Sequence, residues 1–268
     1  METITYVGMD THKATISVSL AVGGRDGEVR HYGKIANEPA AVERLVRKLG
    51  KTHKHLRFSY EAGPCGYGLH RQLRALGQEC IVAAPSMIPR PPGERVQTDR
   101  IDATALARAD RAGELTAIWV PDAAHEAMRD LVRGREAAMV ALVRGRQQLL
   151  GFLLRQGRAF PGKTHWSRVH RRWLADQVFE HTAHRVLFQE MLDAIADAKA
   201  RRDRLGEQIA TLSAQWDRQP IANALTALLG IAQLGGTTMV AEIGSFRRFA
   251  NPRQLMGYIG QVDRKSVV

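Results

Sequence analysis

The order of the apolar runs constrains this chain more than any other feature. Three come first with no helical segment between them: Ile4 to Met9; Ala14 to Val22, where Thr15, Ile16 and Val18 alternate; and Val29 to Ile35. The GGRDG stretch at 23–27 reads as the turn between the second and third. Strands and helices then alternate. Asn37 reads as an N-cap with Pro39 in the first turn, and Ala41, Val42, Leu45, Val46 and Leu49 keep a helical spacing up to Gly50. His55 to Glu61 is a fourth strand, Gly68 to Leu76 a helix stopped by Gly77, and Cys80 to Ala84 a fifth strand. PSMIPRPPGERVQ, at 85–97, is too rich in proline for regular structure, and Thr98 caps a helix that runs through Ala112. Hairpin-type strands followed by strand–helix repeats fit an α/β fold, a mixed five-stranded sheet flanked by helices.

The character changes from Asp122 to about Trp216. Leu131, Val132, Ala138, Met139, Leu142, Val143, Leu149, Leu150, Leu153 and Leu154 keep a helical period. Pro161 and Gly162 break it within 160–173, and a second helical run extends from Leu174 through Leu212. Two antiparallel helices of that length suggest a coiled-coil hairpin. From Pro220 onward, LTALLGIAQLGGTTMVAEIG reads as two short helices around Gly235-Gly236. That turn is either a helix-hairpin-helix, whose backbone N–H groups meet a phosphate, or an ordinary interhelical turn. The expected organisation is therefore an α/β catalytic domain at 1–120, a helical coiled-coil segment at 121–218 and a small, incomplete helical domain at 219–268.

Lys and Arg outnumber Asp and Glu by 39 to 27, a net charge of +12 that biases the chain toward a polyanionic partner. Much of the excess sits in the middle, at Arg133, Arg144, Arg146, Arg155, Arg158, Lys163, Arg168, Arg171 and Arg172, with Trp166 and Trp173 interleaved. Arginines can track phosphates, and an indole can stack on an unpaired base. The competing explanation is a solvated helix face with tryptophans in a core seam. We read the arginines as nucleic-acid contacts and the tryptophans as core. Cys65 and Cys80 are the only cysteines, and neither they nor the scattered histidines form a zinc spacing. No apolar run approaches the roughly 20 residues of a spanning helix. The N-terminus begins directly on a strand, so a soluble, intracellular protein is expected, with no membrane partner.

Four carboxylates carry the chemistry. Asp10 ends the first strand in VGMDTHK, Glu61 ends the fourth in FSYEAGPCGYG, and Asp99 and Asp102 share one helix face in TDRIDATALA. Each taken singly has an ordinary structural explanation. Their joint placement, after the first strand, after the fourth and on a later helix, is the ribonuclease-H-like arrangement. Hard divalent ions need such oxygen ligands, and two of them about 3.5–4 Å apart can activate a nucleophile and stabilise the leaving oxygen of a phosphodiester. The four acids are expected to converge around an ion-sized gap, with some of their pKa values raised.

VGMDTHK, YEAGPCGYG and TDRIDATALA resemble the three N-terminal motifs of the DEDD insertion-sequence transposases of the one-ten family, whose catalytic domain is similar to the Holliday-junction resolvase RuvC. AEIGSFRRFANPRQLMGYIG is similar to the second domain of that family, so the resemblance covers most of residues 4–260. It implies a RuvC-like fold and DNA transposition by strand cleavage and exchange with Mg²⁺ (or Mn²⁺). It also implies a structured guide RNA from the element, and Asp10, Glu61, Asp99 and Asp102 as catalytic, metal-binding residues. A homo-oligomer, dimer or tetramer, is expected. Members of the family continue past the GYIG-like segment into a Gly-Leu-x-Pro stretch and a serine-rich turn that supplies the nucleophile, whereas this chain reads GQVDRKSVV. Ser266 is the only serine after Ser245, and its neighbours do not match. The expectation is a shortened copy, impaired in strand exchange. A junction-resolving endonuclease and a nucleic-acid-binding remnant without catalysis stand as the alternatives.

Overall fold

The computed structural model describes residues 3–24, 26–88 and 98–260. The chain divides into two compact units, 1–120 and 121–268. Arg25 of the expected 23–27 turn, residues 89–97 of the proline-rich loop and Ser266 lie outside the described residues.

In the first unit, β1 (Ile4–Thr11), β2 (Thr15–Val22), β3 (Val29–Ala36), β4 (His55–Glu61) and β5 (Glu79–Ala83) form one mixed sheet in the order β3-β2-β1-β4-β5. The first three strands pair antiparallel, and β1–β4 and β4–β5 pair parallel. This follows from the connections: short turns join β1 to β2 and β2 to β3, whereas α1 (Pro39–Gly50) and α2 (Gly68–Ala75) provide the crossovers that parallel strands need. Asn37 does not cap α1. Its backbone N–H donates to Ala14 O and its amide to His12 O, at 2.9 and 2.8 Å. Asn37 thus still belongs to the sheet edge, and Glu38 takes the N-cap position without a side-chain bond. The expected irregular loop begins with a single 3₁₀ turn at Pro85–Met87.

The period-two alternation of the strands separates two faces. Val7, Met9, Ile16, Val18, Leu20, Phe58 and Tyr60 pack with Val42, Leu45 and Leu49 of α1 and Leu73 of α2. The opposite face carries Gly8, Asp10, Ser17, Ser19, Arg57 and Ser59, and against it lies α3 (Asp99–Ala112). Gly8 decides how closely α3 can lie. A Cβ there would stand 2.2 Å from Ala103 O and 2.4 Å from Ala107 N, both backbone atoms of α3. Ser19 and Thr104 hydroxyls bond at 2.9 Å, and the Arg111 guanidinium donates to Val22 O and Gly27 O at 3.2 and 2.7 Å.

At the other end of α3, the buried Asp110 faces Arg57 Nε at 3.1 Å. Burial pushes the Asp110 carboxyl above its ordinary range, and the Arg57 charge opposes that shift. A folded-state pKa above the unfolded one makes a contribution that is full in acid and lost as pH rises through the folded value. Arg57→Met should therefore cost about 3–5 kcal/mol at pH 7, where a buried charge loses its partner. The cost should shrink as pH falls toward the raised Asp110 pKa. Urea midpoints across this pH range check this; a negligible loss at pH 7 would show that Asp110 is not ionised in the native protein.

In the second unit, α4 (Ala123–Arg155) and α6 (Thr182–Ser213) are the long elements. Leu142, Leu149, Phe152 and Leu153 of α4 share a core with Phe188 and Ile195 of α6, while Met128 and Val132 meet Ile209. The early part of one helix thus faces the late part of the other, so the pair is antiparallel. The second helical run does not start at Leu174. A separate α5 (Arg168–Ala175), capped by Ser167, starts within the stretch read as a break and runs two residues past it, and 176–181 interrupts before α6. Phe179 from that interruption is buried against Phe152, with ring centroids 5.3 Å apart, so an apolar residue that fits a helical period is serving a turn.

α7 (Gln219–Thr226) and α8 (Gln233–Ile243) pack on the same unit through Ala222, Val240 and Ala241. Gly235-Gly236 lies inside the start of α8 rather than between helices, and the break falls at 227–232. Gly236 is a packing glycine: a Cβ there would be 2.6 Å from Ala222 O on α7. At the far end of α8, His125 Nε2 and Arg129 Nε of α4 both donate to Ala241 O, at 2.9 and 2.8 Å. This carbonyl lies in the final turn, where the helix itself supplies no donor. A short α9 (Pro252–Tyr258) follows, capped by Asn251. Among the described residues no helix is long and apolar enough to cross a membrane.

Candidate metal centre

Strand register builds the site. Asp10 pairs with Ser17 on β2, and Ser17 with Lys34 on β3, so the three form one row across the sheet. Met9 is registered with Tyr60, which one step further sets Asp10 beside Glu61, with Cα atoms on the order of 5 Å apart. Neighbours in register point to the same face, here the face covered by α3. Thr98 caps α3 by accepting from Ile101 N at 3.3 Å, which fixes where its first turn starts and hence where Asp99 and Asp102 stand.

Oxygens of Asp10 and Asp99 and a ring nitrogen of His12 all lie within 4.8 Å of one another. His12 Nε2 is 3.0 Å from Asp10 Oδ2 and 3.4 Å from Asp99 Oδ1, and Lys34 Nζ is 2.6 Å from Asp99 Oδ2. Burial is the main reason the Asp10 carboxyl sits above its ordinary range; His12 pulls it back, and the charges of Asp102 and Asp99 push it further up. The hydrogen bond from Lys34 is the main cause that lowers Asp99. Of the four acids expected from the sequence, Asp10 and Asp99 are brought together, and Asp102 is near enough for its charge to act on Asp10. Glu61 flanks Asp10 in the sheet, but its carboxylate is not among the clustered donor atoms.

Sequence reasoning missed His12 and Lys34. His12 carried a legible signal, since it follows Asp10 by two residues and a strand returns to the same side at that interval. Lys34 carried none, because its place depends on two successive hairpin registers. The donor set suits a hard divalent ion: carboxylate oxygens predominate, and further carboxylates stand alongside. Two cationic or hydrogen-bonding side chains, Lys34 and His12, are already drawn in among the acids, so positive charge is what this cluster accepts.

The basic residues of the second unit divide in two. Arg133 forks onto Glu242, with both N–O distances at 2.7 Å. The Arg146 guanidinium stands 4.7 Å over the Trp166 ring. Arg158 lies 4.3 Å from the Phe179 ring centre and donates to Gln177 Oε1 at 3.0 Å and to Val178 O. Arg144, Arg155, Lys163, Arg168, Arg171 and Arg172 are exposed. Trp166 and Trp173 pack half-buried against the α4–α6 core, and both rings adjoin the fully buried His170.

A mixed sheet in this strand order, with carboxylates on its central strands and on the helix laid across them, is consistent with an α/β domain of the ribonuclease-H-like class. The sequence model of the IS110 DEDD transposases, described as transposase, matches residues 7–157. The chain belongs to that family. It is 46% identical over 257 residues to a Sinorhizobium fredii (strain NBRC 101917 / NGR234) protein named "Putative transposase y4qE", a match covering 96% of this chain and 63% of that one. It is 28% identical over 255 residues to the "Transposase for insertion sequence element IS1533" of Leptospira borgpetersenii, covering 94% of this chain and 73% of the relative. The chain thus spans somewhat less than two thirds of the length of the first of these relatives.

Proposed function

We propose that the first unit is the DNA-cleaving domain of an insertion-sequence transposase and works with Mg²⁺ or Mn²⁺. The observation that carries this reading is the convergence of Asp10, Asp99 and His12 donor atoms within 4.8 Å, with Glu61 next to Asp10 in the β1–β4 register and Asp102 near enough for its charge to act on Asp10. Asp10 and Asp99 would hold the ion, with Glu61 and Asp102 completing the acidic site. When bound, such ions activate the attacking oxygen and stabilise the leaving oxygen of a phosphodiester. The chain's own part is positional. β1 and β4 hold Asp10 and Glu61 on rigid strands, the capped first turn of α3 brings in Asp99 and Asp102, and His12 bridges the two clustered carboxylates. DNA is the proposed substrate, with a structured RNA and further copies of the chain as partners in transposition. The test is a supercoiled plasmid incubated with the protein and Mg²⁺. Nicking that EDTA abolishes and Mn²⁺ restores is expected; nicking indifferent to divalent ions contradicts the reading.

The exposed cations of the second unit, Arg144, Arg155, Lys163, Arg168, Arg171 and Arg172, fit contact with the nucleic-acid backbone. Each phosphate they neutralise adds about −0.9 to the slope of log affinity against log salt on duplex DNA. Replacing Arg168, Arg171 and Arg172 with Ala should flatten that slope by roughly two to three. An unchanged slope would assign those side chains to solvent.

A further inference from the structure

We infer that Lys34 is the internal counter-cation of the acidic site, holding Asp99 in the metal-free protein and competing with a divalent ion for it. The inference rests on the metal-site reading above.

Three observations lead there. Lys34 stands in the same cross-strand row as Asp10, two strands away, so its ammonium reaches the site from the edge of the sheet. Its Nζ lies 2.6 Å from Asp99 Oδ2, while Asp99 Oδ1 faces His12 Nε2 at 3.4 Å. Both oxygens of Asp99 thus already face a donor, and a divalent ion approaching either one competes with that donor for the carboxylate. Lys34 is the partner free to leave, since its side chain is 55% exposed and can extend into water.

The device has a clear physical use. Asp10, Asp99 and Asp102 repel one another when no ion is present, and the ammonium reduces that repulsion at the mouth of the site. Its cost is competition, because a divalent ion arriving at Asp99 meets the repulsion of the ammonium already bound there. The repulsion of two unit charges about 4 Å apart in a water-like dielectric is worth about fivefold in binding, and a divalent ion doubles the charge product, which raises the factor to about thirty. Lys34 relaxes away into solvent, so removing its charge should tighten divalent binding about three- to tenfold.

Mn²⁺ titration of the purified protein, followed by loss of the free-ion electron paramagnetic resonance signal, reads this without any activity assay. Asp10→Asn defines the background. Wild-type protein should bind Mn²⁺ above that background, Lys34→Met should bind about three- to tenfold tighter, and Lys34→Arg should stay near wild type. Circular dichroism checks that all of them are folded. If wild type exceeds Asp10→Asn but Lys34→Met binds equally or more weakly, the counter-cation role is overturned and the metal site stands. If wild type does not exceed Asp10→Asn, the metal-site reading fails and the inference falls with it.

Discussion

Asp10→Asn should lower Mg²⁺-dependent nicking by about a thousandfold or more while leaving the fold intact. Asp10 is the penultimate residue of the central strand β1, and its carboxylate meets Asp99 and His12 donor atoms within 4.8 Å. An amide of the same shape keeps the strand and can still accept a hydrogen bond from His12, but it removes the central negative charge. Metal assistance in phosphodiester cleavage is worth several kcal/mol, and each 1.36 kcal/mol is tenfold in rate, so losing the ion's main anchor costs about three orders of magnitude. Stability should not fall, because the Asp10 carboxylate is disfavoured by burial and by the like charges of Asp102 and Asp99. Nicking rate and urea midpoint measured on one preparation separate the two effects. Near-wild-type nicking by Asp10→Asn would remove Asp10 from the chemistry.

Gly8→Ala should be among the most damaging single-methyl additions in the first unit. Its Cβ would lie 2.2 Å from Ala103 O and 2.4 Å from Ala107 N, and neither backbone atom can turn aside as a side-chain tip could. Either α3 lifts from the sheet or β1 bends. Overpacking of this kind costs about 1–3 kcal/mol and occasionally more, and backbone-to-backbone contact puts Gly8 at the upper end, about 3 kcal/mol. Because α3 carries Asp99 and Asp102 while β1 carries Asp10, the same displacement would open the proposed metal site. Divalent affinity should therefore fall even in the molecules that remain folded. Denaturant unfolding, with Mn²⁺ titration under fully folding conditions, checks both parts; wild-type values in each would show that α3 adjusts freely.

The strands of the first unit were legible because alternation is a local signal. Ile4–Met9, Val29–Ile35 and His55–Glu61 all fall on observed strands. Thr98 was legible as a cap because a threonine ahead of a helical period has a specific bond to make, and it makes it to Ile101 N. Asp10 and Glu61 could be placed at strand ends, yet only the parallel β1–β4 register sets them side by side. Glycines misled where their reason was tertiary. Gly235-Gly236 looked like a turn, but Gly236 is small because Ala222 O approaches it. Asn37 looked like a cap, but its amide serves His12 O in the preceding turn region. Some of the middle arginines are held by protein partners: the exposed Arg133 finds Glu242 109 residues away, which no local pattern encodes.

Asp10 and Asp99 are expected to hold a divalent ion on the α3 face of the sheet. Anomalous diffraction from crystals soaked in Mn²⁺ tests it most directly. A manganese peak is expected within ligand distance, about 2–2.6 Å, of carboxylate oxygens of both Asp10 and Asp99, with Lys34 displaced from Asp99. Soaked crystals with manganese peaks elsewhere on the protein and none between these two carboxylates would contradict it.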